Sequence, residues 1–362
     1  MNLYLKKGIS VMFIMLLSIG VFGCSAVDSE EKSLEELNFL VYAGDDQTHW
    51  QAKEGELDLQ TQEVTVDDEV VYEVIDEHGW SDALYPMEFT DEWLVLRGES
   101  SVQPDRDYVI CEREDYLGEY KIWNGRLSLT FDPKTKQSLI ENGEEIVGTL
   151  DNLDYEGISL QPIAFFMDED KKLVLLCERG SEATAWDDSY PVAVVASLRN
   201  SESKSYVIES MRPLENMFSE ELSKMKAPYR TWFDTNVYAD EKEACFYWNE
   251  TRCIVKINPY NGAYEVILSE QDVKENMPYL DTTREGYGFF TGFAVQDDMY
   301  IVQFTNYNDV FGTYAALFDY KGELIGSLLC TESSLTYQGV DGETISEIKN
   351  DDLKGLLYIP SR

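Results

Sequence analysis

The sequence predicts an all-β domain behind a short N-terminal leader. Three observations carry that expectation. Short apolar, β-branched and aromatic runs recur along the whole chain, broken by Asp, Asn and Gly. Helix-period patterns are few. Four segments also share one design, a short strand, an acidic turn and a second strand.

The clearest strand candidates are Glu69–Ile75, Trp93–Arg97, Tyr108–Glu112, Leu173–Cys177, Val192–Leu198, Cys253–Ile257, Met299–Phe304 and Tyr314–Asp319. Two short helices are expected. One covers Leu34–Phe39. The other covers 213–226 (PLENMFSEELSKMK), where Leu214, Met217, Phe218, Leu222 and Met225 fall on one helical face behind a Pro start and an acidic first turn.

The shared design reads MEFTDEWLVL (87–96), AFFMDEDKKLVLL (164–176), VYADEKEACFYW (237–248) and FAVQDDMYIVQF (293–304). After the last two, the chain runs on into closing hairpins over 254–268 and 314–329. These turn on Pro259-Tyr260-Asn261-Gly262 and Tyr320-Lys321-Gly322-Glu323. Phe131–Thr135 is a further turn without a clean first half. This arrangement resembles a β-propeller, in which four-stranded units of roughly 40–50 residues ring a channel. No WD or kelch signature is present, so the resemblance is to an architecture. The alternatives are a large β-sandwich or two stacked antiparallel β domains. In the propeller reading Gly355–Pro360 pairs with a strand such as Phe39–Tyr42 to shut the ring.

Composition excludes two classes. With 69 acidic against 29 basic side chains and a formal charge of −40, the chain repels phosphate, and a nucleic-acid role is excluded. Hydrophobic residues at 44% and aromatics at 13% exclude a disordered chain. The acidity reads as solubility and spacing from an anionic envelope, or as attraction for cations or a basic partner.

The leader carries the most specific signal. Lys6 and Lys7 precede an apolar run from about Ile9 to Phe22, too short for a bilayer crossing of roughly 20 apolar residues. It ends in Val21-Phe22-Gly23-Cys24, which resembles the lipobox of bacterial lipoproteins, with Phe22 bulkier than the small residue usual there. The resemblance implies removal of residues 1–23, a diacylglycerol on the Cys24 thiol, and a new amino group open to acylation by a chain such as palmitate. Residues 24–33 then form the lipidated cysteine and a polar tether, and 34–362 the β domain with its helical insertion near 213–226.

Five other cysteines remain. Cys111 and Cys177 sit in apolar runs as small hydrophobes. Cys245 and Cys253 flank a hairpin with its tip near Asn249, and a cross-strand disulfide between them is a candidate. There is no Cys-x-x-Cys, and the only histidines, His49 and His78, lie far from any cysteine, so no metal site and no cofactor are predicted. Nor is there a Gly-x-Ser-x-Gly, His-Glu-x-x-His or phosphate-binding glycine loop, so no catalytic residue is assigned. The acids at 168–170 and 297–298 read as turn residues.

Loop aromatics beside Asp and Asn supply the ligand-binding candidates: Trp186, Trp232, Tyr287, Tyr307 and Phe311. The expected protein is an extracytoplasmic lipoprotein, joined to the membrane through its lipid, that binds an envelope protein or glycan without catalysis. Propeller lipoproteins act as binding or assembly platforms, and that is what the resemblance implies here. The alternatives are a carbohydrate-active or other hydrolase using a carboxylate pair on the loop face, and a sensor or accessory subunit of a membrane complex.

Overall fold

A computed structural model describes residues 36–44, 49–75, 86–89, 93–97, 100–102, 107–111, 120–124, 127–132, 135–143, 145–179, 191–200, 204–214, 237–250, 253–278, 292–296, 299–306, 312–359 and 361. The leader, Cys24 and the tether lie outside these residues, as does nearly all of 213–226.

The fold is all-β and propeller-like, built largely of antiparallel meanders with two parallel strand contacts. The first unit holds β1 (Glu36–Ala43), β2 (His49–Asp58) and β3 (Glu63–Ile75). Next come β4 (Pro86–Phe89), β5 (Trp93–Arg97), β6 (Ser100–Val102) and β7 (Asp107–Cys111). Of these, β6 adds to the edge of β3, and the other three form the second unit. The third unit is β8 (Tyr120–Asn124), β9 (Leu127–Asp132), β10 (Gln137–Asn142) and β11 (Glu145–Leu150). After β12 (Asp154–Tyr155), the fourth is β13 (Ile158–Met167), β14 (Leu173–Arg179), β15 (Val192–Asn200) and β16 (Ser205–Pro213). The fifth is β17 (Val237–Asp240), β18 (Cys245–Glu250), β19 (Cys253–Ile257) and β20 (Tyr264–Ser269), followed by the helix α1 (Glu270–Asn276). The sixth is β21 (Gly292–Gln296), β22 (Met299–Asn306), β23 (Gly312–Asp319) and β24 (Leu324–Thr331), widened by β25 (Ser334–Gln338) and β26 (Thr344–Lys349).

The last strand, β27 (Leu353–Tyr358), returns to the first unit and pairs with β1, Val41 opposite Leu357 and Leu40 opposite Tyr358. The expected pairing of the two chain ends is therefore present.

The four repeated segments are each the first hairpin of a unit: β4–β5, β13–β14, β17–β18 and β21–β22. The two predicted closing hairpins are β19–β20 and β23–β24. Their turns place Gly262 and Gly322 at φ +73° and +79°, the left-handed region glycine enters without a Cβ penalty.

Packing between units explains why the strand runs are continuously apolar rather than alternating. In β14, Leu173, Leu175 and Cys177 face the third unit's Leu129, Phe131 and Ile140, whereas Val174 and Leu176 face the fifth unit's Phe246, Val255 and Ile257. Both faces of the sheet are thus covered, and Leu173 to Cys177 are all fully buried. The fifth unit repeats this, with Tyr247, Ile254 and Leu268 turned to Tyr300, Val302 and Phe318 of the sixth. The sixth meets the first through polar bonds: the Gln296 amide donates to and accepts from the Asn38 backbone, and Thr313 Oγ1 donates to Gly355 O.

One expectation is corrected. Glu36–Ala43 is a strand, not part of a helix over Leu34–Phe39, because Leu37, Phe39, Leu40, Val41 and Tyr42 are all buried, which needs both faces of an extended chain. The described helix is α1, unanticipated. Ser269 caps it in a reciprocal capping box with Asp272, and Val273 and Met277 are buried in the core shared by the fifth and sixth units.

Candidate functional site

The densest described group of titratable side chains lies where the fifth unit faces the sixth. It begins at the β17–β18 turn. Asp240 Oδ1 accepts the backbone N–H groups of Lys242 and Glu243 at 2.9 and 3.0 Å, folding the turn back on itself. The register then sets Asp240 opposite Cys245, and Tyr247 between Tyr238 and Lys256. Period-two alternation puts all of these on one sheet face.

Glu243 closes the group. Its Oε2 pairs with the Lys256 ammonium and accepts the Tyr247 hydroxyl at 3.2 Å. Lys256 Nζ also lies 5.5 Å from the Tyr247 ring centroid. Tyr300 of β22 and Phe293 of β21 cover that ring at 5.8 and 6.0 Å. The electrostatics follow. The Lys256 bond holds the Glu243 carboxyl below its ordinary range. Burial works against the Lys256 charge, but the Glu243 bond and neighbouring groups leave it raised. Burial pushes the Cys245 thiol up to about 12 and moves Tyr247 and Tyr300 upward as well.

Asp240, Glu243 and Cys245 each offer a ligand atom, all within 4.8 Å of one another, close enough for one cation. The donor set nonetheless fits a metal poorly. The Lys256 ammonium already holds Glu243, so a cation would have to displace it. Chemically the group is a closed ion pair roofed by aromatics.

One expected outcome follows for Cys245. Native protein at pH 8 resists iodoacetamide at this position while a denatured sample is fully alkylated, as read by peptide mass spectrometry. Rapid native labelling would show that the thiol is neither buried nor held protonated. The sign of the linkage is also set. The folded pKa lies above the ordinary thiol value, so the contribution to stability is complete below that value and falls as pH rises toward about 12.

The candidate disulfide is absent. Phe246 pairs with Ile257 and Glu250 with Cys253, which sets Cys245 at the base of the hairpin and Cys253 at its tip. Cys245 faces the sixth unit and Cys253 the fourth, so neither rotamer change nor a small shift joins them.

Trp186, Trp232, Tyr287, Tyr307 and Phe311 lie outside the described residues, as do Asp297 and Asp298. The acids at 168–170 do occupy a turn. Asp168 Oδ1 accepts Lys172 N, and Oδ2 accepts the hydroxyl of Tyr260 from the neighbouring unit's turn. A second bridge was not legible in the sequence. The Asn124 amide of the third unit donates to Phe165 O of the fourth and to Glu241 Oε1 of the fifth, tying three units together.

No family model and no curated protein matches the chain. Among solved structures, AztD from Citrobacter koseri aligns over 89% of this chain and 97% of its own, at 9% identity and a TM-score of 0.36. A proposed 6-phosphogluconolactonase from Bacteroides fragilis aligns over 90% of this chain and 98% of its own, at 10% identity and a TM-score of 0.34. A chain of the nidogen/laminin complex aligns at 9% identity and a TM-score of 0.27. Likeness this distant carries no argument about activity, and the architecture stands on the strand order described above.

Proposed function

We propose that this chain is an extracytoplasmic lipoprotein, anchored through Cys24, whose propeller-like domain binds an envelope protein or glycan without catalysis. The leader and its Val21-Phe22-Gly23-Cys24 ending support the anchor, and the acidic composition supports a domain that stays clear of anionic lipid. The observation that carries binding over hydrolysis is the closure of the Asp240–Glu243–Cys245 group. Its Glu243 carboxylate is occupied by Lys256 and Tyr247 rather than open to a substrate.

The anchor is tested by growing cells that express the chain with an alkyne-tagged palmitate and partitioning the extract in Triton X-114. The expected result is a tagged protein in the detergent phase, with Cys24→Ala untagged and in the aqueous phase. A wild-type chain that stays untagged and aqueous would refute the anchor. The hydrolase reading makes its own demand: the purified domain would hydrolyse members of a glycan panel, whereas the binding reading expects no hydrolysis.

A further inference from the structure

We propose that two adjacent hairpin tips of the sixth unit form a docking surface for a protein partner that presents a basic amphipathic segment. That partner is the envelope protein of the binding reading, on which its existence rests.

The β23–β24 and β25–β26 turns are built alike. In the first, Asp319 N donates to Glu323 O and Gly322 N to Asp319 O, both at 2.9 Å. In the second, Gly339 N donates to Glu343 O at 3.0 Å and Gly342 N to Gly339 O at 2.9 Å. Gly322 and Gly342 both lie at φ +79°. Side chains pin each tip further. Asp319 Oδ1 accepts the backbone N–H groups of Lys321 and Glu323, and Asp341 Oδ1 accepts that of Glu343. Because β23 and β25 run in the same direction in one sheet, the second hairpin repeats the first after two strand spacings, about 10 Å. Corresponding apex positions therefore leave the same side of the sheet.

What the apexes carry is apolar. Tyr320 and Val340 take the same position in their turns and are 57% and 56% exposed, the two highest values among the described large hydrophobic side chains. Ile345, 45% exposed, reaches back over the second turn, where a Cβ added at Gly339 would come within 3.1 Å of its Cδ1. Half-buried Leu324 and Ile325 open β24 between the two tips. Other described turns differ. Glu169 and Asp170 top the β13–β14 turn, and Glu241 and Lys242 the β17–β18 turn. Tyr260 of the β19–β20 turn gives its hydroxyl to Asp168. Two pinned apolar apexes side by side need no ordering on contact, which favours docking.

Charge selects the occupant. Glu323, Asp341 and Glu343 stand exposed beside the apexes, and Lys321 Nζ lies over the Tyr320 ring at 5.0 Å. An anionic leaflet would meet this acidic rim with a chain of charge −40 behind it, and a second copy would bring two of each together. A segment that sets Leu or Ile between Lys and Arg covers the apolar strip and pairs the rim.

The probe is an amphipathic helical peptide of leucine and lysine, immobilised on a biosensor. The full chain passes over it in dodecyl maltoside, with empty micelles subtracted. Wild-type chain should bind. The triple variant Tyr320→Ser, Val340→Ser, Ile345→Ser changes no charge and should bind about tenfold more weakly. Replacing the peptide's leucines by serine should weaken binding as much. A control variant, Ile146→Ser, Val207→Ser, Val266→Ser, removes comparably exposed side chains elsewhere and should stay within about twofold of wild type. All six positions are exposed, so both variants should keep the wild-type urea midpoint. No binding by the wild type, or equal binding by the tip variant, overturns the assignment. A surface that belongs to a second copy would show as self-association in sedimentation velocity. One that belongs to lipid would show as flotation of the Cys24→Ala chain with phosphatidylglycerol vesicles. Either effect, if lost on the tip substitutions, overturns the basic partner. Hydrolysis of the glycan panel refutes the binding reading whatever the peptide does. A chain that neither hydrolyses glycans nor takes the peptide refutes only this surface.

Discussion

Phe246→Ala should lower the stability of the domain by about 3–5 kcal/mol, read as a shift in the urea midpoint at unchanged slope. Phe246 is fully buried, and its ring meets Phe166 of the neighbouring unit at a centroid separation of 5.1 Å and a tilt of 51°. Truncation removes the transfer energy of the ring and leaves a cavity that the surrounding strands cannot close. They are held on both sides: Val174 and Leu176 belong to a sheet already packed against the third unit, so moving toward the gap would open a second one. Val266→Ala on β20 makes the contrast. Its side chain is 50% exposed, and the change should fall within about 0.5 kcal/mol. Equal effects from the two substitutions would mean that the fourth and fifth units are not packed face to face.

The same two-sided burial explains what was legible beforehand. Leu173–Cys177 is a strand in the sequence because five consecutive apolar residues leave no polar face for a surface helix, and Cys253–Ile257 because its β-branched run is broken by Lys256 alone; the structure buries nearly all of them. The acidic turns were equally plain, since Asp168, Asp240 and Asp319 each accept backbone N–H groups that a reversing chain would otherwise leave unpaired. The first strand was misread because Leu34–Phe39 is too short to separate a helical from an extended pattern. The third unit was missed for a different reason. Its strands β10 and β11 mix exposed Asn142, Glu145 and Ile146 with buried Ile140 and Leu150, and β11 completes its pairing by lying parallel to β16. That partner lies more than fifty residues on, and no local pattern announces it.

The Tyr247 group was partly visible and partly not. The residues at 238, 240, 243, 245 and 247 sit in one repeated segment and were flagged as strand, acidic turn and strand. Lys256 and Tyr300 complete the group, but they arrive by pairing across β19 and by packing from the next unit. Neither relation has a sequence period. The proposed disulfide failed on the same missing knowledge, because proximity of Cys245 and Cys253 in the chain says nothing about which sheet face each occupies.

Deleting residues 353–362 should remove the cooperative unfolding transition altogether. The loss is not merely one of the twenty-seven strands among the described residues. Leu353, Leu356, Leu357 and Ile359 are each under 10% exposed, and each buried aliphatic side chain of this kind contributes about 1.5–3 kcal/mol. Their removal also strips Gly355 O from the Thr313 hydroxyl and Ser361 Oγ from Val295 N, and leaves the Cys330 thiol with Thr331 O in place of Leu356 O. Worse, it opens β1, whose Leu37, Leu40, Val41 and Tyr42 then border water along an unpaired edge. Together these losses match or exceed the 5–15 kcal/mol that a folded domain ordinarily holds. Because β1 and β27 come from opposite ends of the chain, their pairing is also the contact with the greatest loop-closure cost, and it should form late in folding. A synthetic peptide spanning 350–362, added at high micromolar concentration, should restore protease resistance and the urea transition. The same peptide with Leu357→Asp should not. A truncated chain that keeps the wild-type midpoint and slope would mean that the units stand independently and that β27 closes nothing.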